Sequence, residues 1–511
     1  MKLNFTLLSV CLICLITPGF SQRNASTVGK PLTYYAELGA LVSDSKQTPF
    51  WLRANQNGIV PNVNPMGTIR LGISADYARP VFKDGRTRSK LFDWGYGLDV
   101  VENNGKTSQF LLPEAYVKGR FSFIELYAGR RRGLVGLVDS NLTSGAYSWS
   151  GNALPLPTVQ IGTPGYVSLG FLKNMISFRS FYNHGWFENS DKKITHSYLH
   201  QKVLYVRLGK PSWKVKLYGG FNHQVQWGGV ANNVDNGLTK NGVLPQSWQS
   251  YLFMVTGYRH PNKKDTTLSG FENNRIGNHL GSIDMGMTID LGDFNLYGYR
   301  QNLYDDGSLF RMTNIRDGLN GVRLQNNRVT TNTFSIREFL VEYLYTKSQG
   351  GAVVGVVPGL LGKDNYFNNS QYVDGWIYKN RAIGTPFLTP GTEVRPGLPT
   401  GAIANNRVSM LHVGISGRLA NVQWTTKVSY SDNFGTYDAP FPDHTTQLSA
   451  LLNVSAPIKL PGIGPMSLNT SLALDRGHLF TNSTGVYVGL RKSFSSPVRT
   501  VAALEPKKQT K

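Results

Sequence analysis

The chain is almost without cysteine. Its only two, Cys11 and Cys14, fall within the first 22 residues, so disulfides, thiolate metal sites and cysteine nucleophiles are excluded from everything downstream. A small exported domain would ordinarily need such cross-links, whereas a long chain that closes one large sheet does not. No later stretch offers the roughly 18 consecutive apolar residues of a membrane-crossing helix. Acid is scarce as well: 31 Asp and Glu stand against 53 Lys and Arg, for a net charge of +22. Glycoside hydrolysis needs two carboxylates about 5–10 Å apart, and no pair of acids falls within an aromatic cluster. Serine chemistry lacks a Gly-x-Ser-x-Gly elbow. No catalytic residue, metal or cofactor is therefore expected.

What is present reads first as export. Residues 1–21 carry Lys2, then a short apolar core from Leu7 to Ile16, with Gly19 and Ser21 at the −3 and −1 positions of a cut before Gln22. Val10 and Ile13, which precede the two cysteines, are too large for lipoprotein cleavage. For an exported protein this basic, the fitting partners are acidic polysaccharide and lipopolysaccharide, not nucleic acid.

Aromatic residues make up 12% of the chain and Gly numbers 55, a composition of strands and turns. Val422, Trp424, Thr426, Val428 and Tyr430 alternate with Gln423, Thr425, Lys427, Ser429 and Ser431. Such period-two alternation puts an apolar and a polar row on opposite faces of a strand. It recurs from 448 to 456, where Leu451 alone is apolar on the polar side, and again at 34–41, 213–221, 294–299, 466–474 and 486–494. Ile336–Tyr345 passes for a helix, but Phe339, Val341, Tyr343 and Tyr345 fit a strand better; no helical element is expected. The strands are about 9–11 residues long, enough to cross hydrocarbon when tilted. Small polar side chains fill one face and aromatics mark the ends. In lipid such a set must close on itself. The fold class is therefore all-β: a closed antiparallel transmembrane β-barrel over residues 22–494, followed by a basic tail at 495–511. Long loops at Gly228–Gln246, Asp305–Arg328 and Gly362–Asn406 are expected outside the cell.

Five runs then become familiar: YAELGALVSDSKQTPFWLRANQNGIVP (35–61), YAGRRRGLVGLVDSNLTSGAYSWSGNALPLP (127–157), NHGWFEN (183–189), LYGGFNHQVQWGG (217–229) and KDNYFNNSQYVDGWIYKNRAIGTPFLTP (363–390). They resemble the Wzi family of capsule assembly proteins. The resemblance implies an outer-membrane barrel of about 18 strands, a surface lectin without enzymatic activity that anchors or organises capsular polysaccharide. Two departures are visible. Family members can carry a small periplasmic helical bundle, for which the sequence has no pattern. The aromatic that commonly ends such barrels, here Phe494, precedes the basic tail.

Candidate polysaccharide-binding residues lie in or beside these runs. Arg130, Arg131 and Arg132 follow a strand-like Phe121–Gly129. Successive strand residues point to opposite faces, so all three cannot meet one ligand unless the strand ends there, and one or two would clamp a uronate carboxylate; the alternatives are pairing with lumen acids such as Glu114 or Glu125 and contact with membrane phosphates. Trp149 with Asn152 has the ingredients of a sugar subsite, an indole for a pyranose face beside an amide for its hydroxyls, or else marks the membrane rim. His223, Gln226 and Trp227 form a second aromatic–amide cluster just beyond a strand, and His184 with Trp186 a third. His184 and Glu188 lack a third metal ligand with recognisable spacing. Tyr366, Trp376 and Arg381 sit on the longest loop, where recognition or plugging is expected. The expected partners are capsular or other surface polysaccharide together with outer-membrane lipid and lipopolysaccharide, and the protein is expected to be a monomer. The competing reading is a porin-like channel.

Overall fold

Alternation of this kind has one closed solution in lipid, and the chain adopts it. A computed structural model describes residues 30–495 apart from 79–80, 84–85, 89, 191, 233–237, 240–241, 259–274, 306, 329–333 and 354–361. The leader expected at 1–21 lies outside the described residues, as does the basic tail expected at 495–511 except for Ser495, which closes the last stave. The first staves are β1 (Leu32–Ser43), β2 (Met66–Ala75), β3 (Phe92–Gly105), β4 (Gln109–Phe121), β5 (Ile124–Arg130) and β6 (Pro157–Gly162). Next come β7 (Ile176–Trp186), β8 (Tyr198–Leu208), β9 (Val215–Trp227), β10 (Asn278–Asp290), β11 (Phe294–Asp305) and β12 (Gly318–Asn326). The last are β13 (Ser335–Tyr345), β14 (Val408–Leu419), β15 (Val422–Asn433), β16 (Thr446–Leu460), β17 (Gly464–Gly477) and β18 (Ser483–Ser495). β6 resumes briefly as Val167–Ser168, so the 19 paired segments make eighteen staves. Each pairs antiparallel with the next, and β18 pairs with β1 from Thr33↔Ser495 to Ser43↔Gly485. Closure leaves no sheet edge to expose backbone groups to lipid.

The outer face is an apolar belt. Leu38, Val117, Leu126, Met285, Val322 and Leu411 all stand exposed on it. Trp94, Phe121, Trp213 and Phe294 ring the end of the barrel where the described chain begins and finishes, as an interfacial girdle does. Phe494 belongs to that girdle. It stacks on Tyr34 with ring centroids 4.7 Å apart, across the seam where the first and last staves meet. At this terminus end the turns include the short 122–123, 291–293, 420–421 and 461–463. The long connections gather at the opposite end, which in bacterial barrels faces outward.

Three of those connections turn into the lumen. They are 44–65, which carries the single helical turn α1 (Phe50–Arg53), then 131–156, and 362–407. Their side chains form one core: Trp51, Leu142, Tyr147, Tyr366, Phe367 and Trp376 are at most 2% exposed. The wall holds this plug through carboxylates that point inward. Asp284 accepts from the Leu137 amide at 2.8 Å, Glu342 from the Ser144 amide at 2.6 Å, and Asp475 from the Phe50 amide at 2.7 Å. Each such charged hydrogen bond contributes on the order of 1.5–3 kcal/mol. Lys427, on the polar row of β15, reaches the Thr143 carbonyl at 3.2 Å and lies over the Trp51 ring. Leu451, the apolar exception in β16, packs against the same inserted segments. Gly414 lets the plug touch the wall, since a Cβ there would sit 2.8 Å from that of Leu142.

The structure corrects the sequence reading in several places. Phe121–Gly129 is not one strand: Ser122, with φ 57°, turns the chain between β4 and β5. Asp305–Arg328 is not all loop, because β12 lies within it. β9 continues to Trp227, so His223, Gln226 and Trp227 are on a stave and not beyond it. Helices do occur. The longer, α2 (Trp248–Thr256), follows an Ser247 cap that accepts from the Ser250 amide and ends at Gly257 with φ 70°. That bracket is a helix signal the alternation argument passed over. Ile336–Tyr345 is the expected strand.

An arginine on the lipid face at mid-height should be costly. Leu38→Arg is expected to lower the barrel's stability by about 2–4 kcal/mol, read as a shift of the urea midpoint in refolding into lipid vesicles. The same arginine at Ser471, which faces the lumen, should cost far less. Equal penalties would place the wrong face toward lipid.

Candidate functional site

The segment after β5 leaves the wall early, because β5 is only seven residues long. It dives inward at Arg130 and returns at Pro157, which brings Arg131, Arg132 and Trp149 to one lumen cavity of about 190 Å³. The wall contributes Tyr127, Gln160, Arg179, Asn183 and Gln201. These five are inward residues of β5 to β8, and sequence reasoning missed them. Their signal was parity: Gln160, for instance, sits between Val159 and Ile161, both exposed outward. Glu125, Thr163 and Arg179 lie near the terminus end of their staves and Asn183 and Gln201 nearer the loop end, so the cavity runs along the wall beneath the inserted segment 131–156. At about 190 Å³ it falls below the about 300–1,000 Å³ of small-molecule sites. It suits one ring of a longer chain.

The cavity's polar groups are unevenly satisfied. Arg131 pairs with Glu125 at 2.7 Å, and Arg132 pairs with Asp99 while its amide donates to Glu114. Arg179 has no ion pair among the described residues. The Asn183 Oδ1 and Gln201 Nε2 atoms are buried without a partner among the described residues. Buried polar atoms normally find partners, so an acceptor, a donor and an unpaired guanidinium converge here beside an indole. That set matches a hydroxylated ring carrying a carboxylate: the indole covers a C–H face, the amides meet hydroxyls, and the planar guanidinium takes the acid.

The other sequence candidates divide among different surroundings. Arg130 donates to the Tyr378 hydroxyl at 3.0 Å and to the Pro155 carbonyl at 3.2 Å. Asn152 is buried, bonding the Ala382 carbonyl and the Asn55 amide. Tyr366 and Trp376 are completely buried, with the Trp376 indole donating to the Ser148 carbonyl at 2.9 Å. Arg381 is buried against Glu393 at 2.9 Å, and Glu393 also binds Arg53. These residues hold the plug together, and a glycan reaches Asn152, Tyr366, Trp376 or Arg381 only by displacing it. Gln226 faces inward, donating to Ser197 at 2.9 Å. Its neighbours on β9, His223 and Trp227, face outward instead, as do His184 and Trp186 on β7; α2 covers this outer patch through Tyr251, 5.3 Å from Trp227. The second cluster is therefore split by strand parity, and its aromatic half joins the third cluster on the barrel's outside.

Burial works against the Glu393 carboxylate, yet the guanidiniums of Arg53 and Arg381 hold its pKa below the ordinary glutamate range. Burial lowers Arg381 to about 10, so it stays charged at neutral pH.

A closed, plugged barrel with an apolar outer belt defines this chain as an outer-membrane β-barrel protein. The profile of the capsule assembly protein Wzi matches residues 68–394. The chain thus belongs to the Wzi family of capsule assembly proteins. Among solved structures it is similar to Wzi of Escherichia coli, an outer-membrane protein involved in group 1 capsule assembly and a carbohydrate-binding β-barrel. The two share 13% identity and a TM-score of 0.56 over 90% of this chain and 84% of that one. OccK5 of Pseudomonas aeruginosa matches at 8% identity and a TM-score of 0.43, over 91% and 98% of the chains. No curated protein matches the sequence.

Removing the charge that joins Arg53 to Arg381 should loosen the plug. Breaking such a buried pair costs about 3–5 kcal/mol. Glu393→Gln is expected to open Lys379 and Arg395 to trypsin while the staves stay resistant. In the unchanged protein the folded carboxyl is held low. Its contribution is therefore complete above the ordinary glutamate value of about 4.3 and is lost only as pH falls through the depressed folded value. Trypsin resistance should accordingly survive acidification to about pH 5. Loss of resistance well above that pH would assign the tether to another group.

Proposed function

We propose that this protein is a non-enzymatic lectin that holds capsular polysaccharide at the outer membrane, with the cavity beneath the plug as an acidic-sugar subsite. The observation that carries the reading is the convergence of Trp149, Arg179 and the two buried amide atoms left without a partner among the described residues, Asn183 Oδ1 and Gln201 Nε2. Membership of a capsule assembly family supplies the setting. At the loop end, Arg407 lies 3.8 Å over the Tyr437 ring and Lys347 3.8 Å over that of Phe434. This basic, aromatic rim is a second surface on which an acidic glycan can rest. Among the original candidates, the reading retains Trp149, Arg131 and Arg132 as cavity walls. It assigns the carboxylate to Arg179, because Glu125 and Asp99 already occupy the other two. The porin reading shares the barrel, but three inserted segments cross its lumen and pack into one core there.

Two substitutions separate the roles. Trp149→Ala should weaken binding of both neutral and uronate-containing polysaccharide by the purified protein. Arg179→Gln should weaken only the acidic one, about tenfold, equivalent to about 1.4 kcal/mol. Wild-type affinity in both variants would remove the cavity from the reading. In cells, loss of the protein should move polysaccharide from the attached to the shed fraction at constant total. Planar bilayers should record no steady open channel.

A further inference from the structure

The outer wall holds a group of polar residues that the glycan reading does not use. Lys202 shares a face of β8 with Leu204, Val206 and Leu208, all exposed on the apolar belt. His223 shares a face of β9 with Val215, Leu217 and Phe221, and His279 shares one of β10 with Ile283, Met285 and Met287. These polar side chains consequently point away from the lumen, toward lipid. They lie in the parts of β8, β9 and β10 nearer the loop end, the half that meets the outer leaflet. Ionisable groups on a lipid face are rare and mark function by default.

Here they wall a cavity of about 330 Å³ together with Arg275, Phe221 and Phe310. Its described lining contains two cations and no carboxylate. The Lys202 ammonium donates to the Val255 carbonyl in the last turn of α2 at 2.5 Å. That bond explains where the side chain is anchored, but an ammonium has three donors. The imidazoles are ordered by a chain of bonds. His279 Nε2 meets the Ile276 carbonyl at 2.8 Å and so donates, leaving its Nδ1 to accept from His223 Nε2 at 2.9 Å. The remaining His223 Nδ1 is thereby an acceptor, and it has no partner among the described residues. Above the site α2 lies on the wall, with Trp248 73% exposed as an interfacial anchor. The cavity thus joins cationic donors, an oriented acceptor and apolar walls continuous with the lipid belt.

We propose that this cavity binds the phosphorylated sugar headgroup of a lipopolysaccharide in the outer leaflet. Lys202 and Arg275 hold the phosphate, His223 Nδ1 accepts from a hydroxyl or amide of the sugar, and Phe221 and Phe310 flank the acyl chains. The site stands on the opposite side of the wall from the lumen cavity and does not depend on the glycan reading.

Native mass spectrometry of the full-length protein in detergent tests it, with purified lipid A as the probe. Wild type should retain one lipid A, bound at least tenfold more tightly than its fully dephosphorylated form. The K202M/R275Q double variant should lose that preference while still running as a folded, heat-modifiable barrel. R275Q alone, which leaves the Lys202 contact with α2 in place, should give a partial loss. R328Q, at the terminus end, should retain the lipid. Equal binding of phosphorylated and dephosphorylated lipid A would overturn the proposal, as would unchanged binding by a folded double variant. Displacement of lipid A by millimolar inorganic phosphate would overturn it too, in favour of a free-anion site.

Discussion

Everything inside this barrel depends on a few wall carboxylates that accept hydrogen bonds from the backbone of inserted loops. A stave can place Asp284, Glu342 or Asp475 on its lumen side at no cost to the sheet, because alternate positions point inward anyway. An inserted loop, by contrast, brings backbone amides that neither a helix nor a ladder satisfies, and buried amides must be paired. The two needs meet at Leu137, Ser144 and Phe50. Without these acceptors the inserted segments would carry unsatisfied donors into a closely packed core. The side-chain packing of Trp51, Tyr147 and Trp376 could then not form.

The plug in turn makes the cavity beneath it. An eighteen-stave barrel is wide enough to leave a lumen. The path of 131–156 across that lumen converts open space into a small chamber with an indole roof and a polar wall. Shortness of β5 is the local cause: the chain leaves the wall at Arg130, so the arginines that follow hang into the chamber and do not line a full-height stave. Two of them meet wall acids. That leaves Arg179, an ordinary inward residue of β7, as the cation without an acidic partner.

How much of this the sequence disclosed follows from the range of each interaction. The staves were legible because period two is local, and Ile336–Tyr345 or the last stave at 486–494 could be read from neighbouring residues alone. Plugging was legible as an alternative for the longest loop, but the contacts that hold the plug were not. Gly362–Asn406 has no period, and its partners are distant: Trp376 and Ser148 lie 228 positions apart. Residue type alone also could not decide which way an aromatic cluster points. His223, Gln226 and Trp227 looked like one site, but parity sends the amide inward and the rings outward. Applying parity through Trp227, where the strand truly ends, would have separated them.

The scarcity of acid then acquires a structural meaning. Among the described lumen acids, Asp284, Glu342 and Asp475 are occupied by plug amides, Glu125 and Asp99 by arginines of the inserted segment, and Glu393 by two buried guanidiniums. Acids spent in this way inside the barrel neutralise nothing on its working surfaces. The cations left over appear where an anionic partner could reach them: Arg179 in the chamber, Arg407 and Lys347 at the rim, Lys202 and Arg275 on the lipid face. A net charge of +22 is therefore poorly described as a uniformly basic coat. Part of that charge stands without acidic partners because the lumen carboxylates named above are taken up by plug amides and by arginines.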